Sequence, residues 1–188
     1  MGDEPKAWKR LSRGEARDYR ILTVRQDRAE NPRNGSELSI TMVECPDWIN
    51  VVPVTRDGRV VFIRQFRFGT WANTLEVPGG VVEPGEEPLA GAARELEEET
   101  GYVAGRIVPL GFVHPNPAYQ TNRCHAFIAL DCEQVHGGRP DESEDIQVEL
   151  RAQQDVAELI RSGQVTHSLV LTAFYLAQLH GQFPTGRR

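Results

Sequence analysis

The sequence predicts an α/β protein of sandwich type, a mixed sheet packed with helices and preceded by an antiparallel β-hairpin. Three observations predict it. Short β-branched and apolar runs recur from Tyr19 onward, separated by turn residues. One segment, Pro88–Thr100, breaks that rhythm with helical spacing, and two further helical patterns close the chain. At 188 residues the chain suits one full-sized core, alone or with a small appendage.

A polar leader comes first. Tyr19–Asp27 and Glu37–Cys45 then read as strands joined through the turn signal Asn34-Gly35, giving an N-terminal segment of residues 1–46 ahead of a main domain at 47–188. In that domain Trp48–Val54 and Val60–Phe66 read as strands parted by Arg56-Asp57-Gly58-Arg59, and Leu75–Val77 leads into the tight turn Pro78-Gly79-Gly80. The helix over Pro88–Thr100 has clear ends. Pro88 suits a first helical position, where its missing N–H costs nothing. Glu86 and Glu87 lie at the positive end of the dipole, and Gly101 can take the left-handed conformation that commonly ends a helix. Leu89, Ala92, Ala93 and Leu96 form an apolar stripe for packing on a sheet. Ile107–Val113, His125–Leu130 and Ile146–Leu150 read as buried strands, and Asp155–Arg161 and Ser168–His180 as helices.

Composition narrows the partners. A net charge of −6 without a basic stripe argues against wide nucleic-acid contact. Cys45, Cys124 and Cys132 are odd in number and lack metal-ligand spacing, so reduced thiols in a cytoplasmic protein are expected. The opening MGDEPKAWKR has no apolar signal core, and no apolar stretch approaches membrane-spanning length, so no membrane partner is expected.

The chemistry is concentrated in Gly80–Tyr102, GVVEPGEEPLAGAARELEEETGY. Glu95, Glu98 and Glu99 fall at i, i+3 and i+4 and share a helix face, where like charges repel. A divalent cation relieves that repulsion, and oxygen-only ligands select Mg²⁺ or Mn²⁺ over zinc. Arg94, with its planar fork, is suited to orienting a neighbouring glutamate, Glu86. The full pattern arises by chance in a chain this long with a probability of roughly one in ten million.

That run resembles, at every position, the signature of the Nudix hydrolases: Gly, five residues, Glu, seven residues, Arg-Glu-U-x-Glu-Glu-x-Gly-U, with U bulky and apolar. The resemblance implies an α/β/α sandwich and a metal site. Glu95, Glu98 and Glu99 would be the ligands, assisted by the carbonyl of Gly79, with Glu86 in a supporting or secondary-ligand role. It extends from about Trp48 to the C-terminal helix and is strongest to the ADP-ribose and nucleoside-diphosphate-sugar pyrophosphatases. Four features carry this: the RQFR segment Arg64–Arg67; Pro117, 16 residues after Gly101; the acidic segment Asp141–Leu150; and the paired N-terminal strands.

In that group Arg67 would contact substrate phosphate, with Arg64 a weaker candidate. Glu142 would take the proton from water, with Glu144 the alternative base or an outer metal ligand. The N-terminal strands would make a homodimer. Trp48 is a candidate for base stacking or simple packing, Trp71 a second stacking candidate, and Asn116 a candidate substrate contact or plain turn residue. Tyr119 resembles instead the tyrosine of dinucleoside-polyphosphate hydrolases. The expected activity is Mg²⁺-dependent hydrolysis of ADP-ribose or a related nucleoside diphosphate sugar to nucleoside monophosphate and sugar phosphate. The alternatives are a dinucleoside-polyphosphate or damaged-nucleotide hydrolase, and a non-catalytic ADP-ribose sensor. The sensor is disfavoured because every signature carboxylate is present.

Overall fold

The computed structural model describes residues 4–139 and 145–183. They fall into two compact units: the segment up to residue 46 joined by residues 114–123, and residues 47–113 with the chain from 124 onward.

In the first unit, β3 (Thr23–Glu30) and β4 (Glu37–Glu44) form the expected hairpin, in register from Thr23↔Glu44 to Glu30↔Glu37. Gly35 takes φ 71° in its turn, as the Asn-Gly signal requires. Two short strands missing from the sequence reading, β1 (Lys9–Ser12) and β2 (Arg17–Asp18), pair antiparallel with β3 and widen the hairpin into a four-stranded sheet. β3 also starts later than expected. Arg20 adopts φ 71°, and Tyr19 and Ile21 are exposed, so the backbone turns there before the ladder begins. Residues 114–123 belong to this unit through Val43, whose N–H donates to the Tyr119 carbonyl at 2.8 Å. Inside the sheet, buried Arg25 donates to Asp27 at 2.9 Å and pairs with Glu44.

The second unit is a seven-stranded mixed sheet: β5 (Trp48–Thr55), β6 (Arg59–Arg67), β7 (Ala72–Glu76), β8 (Tyr102–Val103), β9 (Arg106–Val113), β10 (Cys124–Gln134) and β11 (Gln147–Ala152). Its central order is β11-β6-β5-β10-β8, with β7 on β6 and β9 on β10. Among the described residues of this unit, only β5 and β10 run parallel, from Trp48↔Cys124 onward. The helices are α1 (Pro88–Thr100), α2 (Val156–Arg161), entered through a 3-10 turn at Gln153–Asp155, and α3 (Ser168–Leu179).

β5 explains the layering. Its residues Ile49 and Val51 join Ala92 and Leu96 of α1 in one apolar cluster, whereas Val52 and Val54 join Val170, Ala173 and Phe174 of α3 in another. A strand buried on both faces reads as a near-continuous apolar run, as Trp48–Val54 does apart from Asn50. Phe62 crosses to α3, its ring centroid 5.7 Å from that of Phe174. The architecture is the expected α/β/α sandwich.

α1 has the predicted ends. Pro88 opens its first turn, and Gly101 stands at φ 72° with its N–H on the Glu97 carbonyl at 2.8 Å. Its buried face differs from the predicted stripe. Ala92 and Leu96 are fully buried, but Leu89 and Ala93 are exposed, and Glu99 and Thr100 complete the packed side. A carboxylate occupies an inward position because it has a backbone partner there.

Candidate active site

That partner is the turn Pro78-Gly79-Gly80, laid along β5 as an irregular extra strand. The N–H of Val51 donates to the Pro78 carbonyl and that of Ile49 to the Gly80 carbonyl, both at 2.9 Å. The two glycines are there for different reasons. A Cβ on Gly79 would stand 2.1 Å from the Ile49 carbonyl oxygen, so backbone excludes it. A Cβ on Gly80 would stand 2.3 Å from Oε1 of Glu95, so a carboxylate excludes it. Glu99, 3% exposed, accepts the Gly79 N–H through Oε2 at 2.9 Å. Two helix carboxylates therefore close on the turn.

Arg94 organises the rest. Its Nε and Nη2 donate to the two oxygens of Glu86 at 2.9 and 3.0 Å, and its Nη2 also reaches the Val81 carbonyl at 3.1 Å. Its Nη1 donates to Glu95 Oε1 and Glu98 Oε2, each at 3.0 Å. Glu86 accepts the Glu83 N–H at 3.0 Å as well. The Arg94 bonds, then this backbone donor, hold the Glu86 carboxyl below its ordinary range. Reciprocally, Glu86 first, and then Glu98 and Glu95, raise the pKa of the guanidinium against the opposing effect of burial.

The donor set fits a hard divalent cation. Glu95, Glu98, Glu99 and the Gly79 carbonyl offer oxygen only, and the lack of a Cβ on Gly80 lets the Glu95 carboxylate come against the turn. Among the described residues, no three carboxylate, imidazole or thiol groups already converge on one point. The carboxylates are turned instead to Arg94 and the turn, a cation and an N–H donor occupying their lone pairs.

The structure places the remaining predicted residues as follows. Arg67, at the end of β6, docks Nε and Nη2 on Glu76 of β7 at 2.9 and 2.6 Å. Glu76 is 2% exposed and also accepts the Thr74 hydroxyl at 2.6 Å. Arg64 donates to Glu149 of β11 at 2.6 Å, an ion pair that lowers the Glu149 pKa. Trp48 begins β5, paired with Cys124 and bridged to Val81, and is part-buried. Asn116 lies in the other unit, where its carbonyl accepts the Gln120 N–H at 2.8 Å and its side chain the Ala118 N–H at 3.3 Å, the pattern of a turn residue. Trp71, at φ 55°, packs edge-on with Phe66 and Phe68 in an exposed aromatic trio. Glu142 and Glu144 lie outside the described residues. Cys124 and Cys132 are buried free thiols, pushed up to about 12 by desolvation.

Sequence reasoning missed Glu76, Thr74 and Glu149. Glu76 stands two residues before the glycine turn, between the buried residues Leu75 and Val77, and an acid in an otherwise apolar run is a signal. A groove of about 1070 Å³ lies by the β5–β6 turn among Asp57, Arg59, Phe174, Tyr175 and Phe183, and contains no residue of Gly80–Tyr102.

The protein is a hydrolase of phosphorus anhydrides, and the glycine turn, the acidic helix and the arginine that ties them are its candidate site. Residues 47–171 match the NUDIX domain, and the chain belongs to the Nudix family. It is 31% identical over 147 residues to the ADP-ribose pyrophosphatase of Bacillus subtilis (strain 168), covering 78% of this chain and 80% of that protein. It is 33% identical over 130 residues to a GDP-mannose pyrophosphatase of Escherichia coli O1:K1 / APEC, covering 64% and 68%. The crystal structure of an ADP compounds hydrolase superposes with a TM-score of 0.84 at 22% identity, covering 96% of this chain and 98% of that one. Among the described residues no helix is long and apolar enough to cross a membrane.

Proposed function

We propose that the protein is a Mg²⁺-dependent pyrophosphohydrolase, with Mn²⁺ a possible substitute, cleaving ADP-ribose or a related nucleoside diphosphate sugar into nucleoside monophosphate and sugar phosphate. The observation that carries this is the Arg94-centred cluster, in which Glu86, Glu95 and Glu98 gather on one guanidinium beside Glu99 on the Gly79 turn. The two pyrophosphatase relatives support a sugar-linked diphosphate as the substrate class.

Glu95, Glu98 and Glu99, with the Gly79 carbonyl, would hold the metal. When bound, the metal supplies charge neutralisation to the diphosphate and acidifies water. Arg94 keeps Glu86 from drifting and holds the inner oxygens of Glu95 and Glu98 close together. Arg67 stabilises charge on the departing phosphate, and a carboxylate of the acidic segment, Glu142 or Glu144, accepts the proton from water. Arg64, Trp48 and Asn116 are the further substrate-contact candidates; of these, Arg64 is engaged with Glu149. The reduced thiols favour a cytoplasmic location, and the N-terminal sheet favours a homodimer.

A product assay with ADP-ribose, ADP-glucose, GDP-mannose, UDP-sugars, NADH and diadenosine polyphosphates under Mg²⁺ tests this reading. Release of nucleoside monophosphate and sugar phosphate is expected. Turnover confined to dinucleoside polyphosphates or nucleoside triphosphates would overturn it. Loss of turnover in Glu142→Gln or Glu144→Gln is expected, and full activity in both would remove the acidic segment as the source of the base.

A further inference from the structure

Glu76 is an ionised carboxylate in an apolar setting, with both neighbours in the chain, Leu75 and Val77, also buried. Desolvation pushes its pKa up, and the Arg67 and Thr74 bonds outweigh this and hold the carboxyl below its ordinary range. Both of its oxygens are engaged: Oε1 by Arg67 Nε and the Thr74 hydroxyl, Oε2 by Arg67 Nη2. Burying such a pair is a poor route to stability, because a shape-matched apolar pair commonly does as well or better. What it provides is a fixed guanidinium. Arg67 crosses the β6–β7 hairpin to reach Glu76, and docking along one edge removes most of the rotamers that its chain would otherwise sample. Its side chain nonetheless stays 42% exposed, against 3% for Glu76. A buried acid therefore grips an arginine whose side chain is still part-exposed.

We propose that Glu76, seated by Thr74, is a positioning residue that acts through Arg67. It sets the guanidinium plane presented to the substrate's phosphate, and takes no part in metal binding or proton transfer. The proposal rests on Arg67 being the phosphate contact of the reading above. Glu76 lies on β7 and bonds Arg67 and Thr74, whereas the carboxylates of α1 bond Arg94 and the Gly79 turn.

The test is a double-substitution cycle of Glu76→Gln and Arg67→Ala, run on whichever phosphoanhydride the wild type turns over. In the wild-type background, Glu76→Gln is expected to lower kcat/KM by about 10- to 100-fold and to move the same member of the kcat and KM pair that Arg67→Ala moves. In the Arg67→Ala background it should change kcat/KM by less than about twofold. It should also raise the melting temperature there, since Arg67→Ala alone strands a buried charge. Equal losses in both backgrounds, or no loss in the first, would overturn the proposal.

Thr74→Val, which leaves the ion pair intact, guards against a misfolded Glu76 variant. A smaller loss is expected, and it should vanish in the Arg67→Ala background; persistence there would equally overturn the proposal. A readout without substrate separates this from the functional reading. The Nε–H resonance of Arg67, assigned with Arg67→Lys, should exchange slowly in the wild type and be averaged in Glu76→Gln. An unchanged resonance would refute the grip whatever the substrate proves to be.

Discussion

Arg94 donates through Nε and Nη2 to both oxygens of Glu86, eight residues earlier, while its Nη1 serves Glu95 and Glu98. One planar cation thus spans the loop before α1 and the acidic face of α1 itself. A lysine reaches the same region as a single point charge and cannot serve both groups. Arg94→Lys is therefore expected to reduce kcat by about 10–100-fold, as loss of a group that orients ligands commonly does. The accompanying loss of stability should be about 1–2 kcal/mol, because the site is partly solvated. Steady-state kinetics and urea unfolding check both, and wild-type kcat in this variant would remove Arg94 from its organising role.

The two turn glycines should fail in different ways. Gly79→Ala drives a Cβ into the Ile49 carbonyl, which is strand backbone and cannot yield cheaply; a stability loss of about 2 kcal/mol is expected. Gly80→Ala meets only the end of the Glu95 side chain, which can swing aside. It should melt within a few degrees of wild type while activity falls about tenfold or more and the Mg²⁺ requirement shifts to higher concentration. Melting curves set beside metal titrations distinguish the two, and a Gly80→Ala protein with unaltered metal dependence would contradict the placement of Glu95.

Glu99→Gln keeps shape but removes the charge that faces Gly79. Activity should fall roughly 100-fold or more, since metal-borne stabilisation is worth several kcal/mol. Wild-type turnover should likewise vanish on chelation and return with Mg²⁺. Metal-independent turnover, or a fully active Glu99→Gln, would end the metal assignment.

Acid should weaken the fold in a definite window. The carboxyls of Asp27, Glu76, Glu86 and Glu149 all lie below their ordinary values, in each case with an arginine among the causes. The folded state then binds fewer protons than the unfolded chain, so stability rises with pH through this window. It is fully present above the unfolded carboxylate pKa, about 4, and is lost as pH falls through the folded values below that. Urea midpoints should be level from pH 7 to about 5 and drop below about 4, with a shallower drop in Arg94→Lys. A midpoint that climbs on acidification would show the sign to be wrong.

The parts of the fold legible in the sequence were those with a strong local rule. α1 ends where Pro88 and Gly101 place it, and Trp48–Val54 is the strand its apolar run predicted. β1 and β2 were silent because their residues, KRLS and RD, are mostly exposed and polar, so no buried face imposes a period of two. Tyr19 and Ile21 misled for the converse reason, being strand-forming residues placed at an exposed bend. Within the site, the bond from Arg94 to Glu86 could be inferred from spacing along one helix and its approach. The partners of Arg67 and Arg64 could not, because they depend on strand register, and Glu149 lies 85 residues from Arg64.

Just past β10, the N–H of Arg139 donates to the carbonyl of Glu98 at 2.6 Å, and that of Val135 to Gly101 at 2.9 Å. The chain thus leaves the sheet moored to the last turn of the same helix that carries the acidic cluster. Two backbone bonds four residues apart thus tie the strand's exit to the helix end. A displacement of the backbone at Val135 or Arg139 would therefore be passed to the end of the helix on which Glu98 and Glu99 ride.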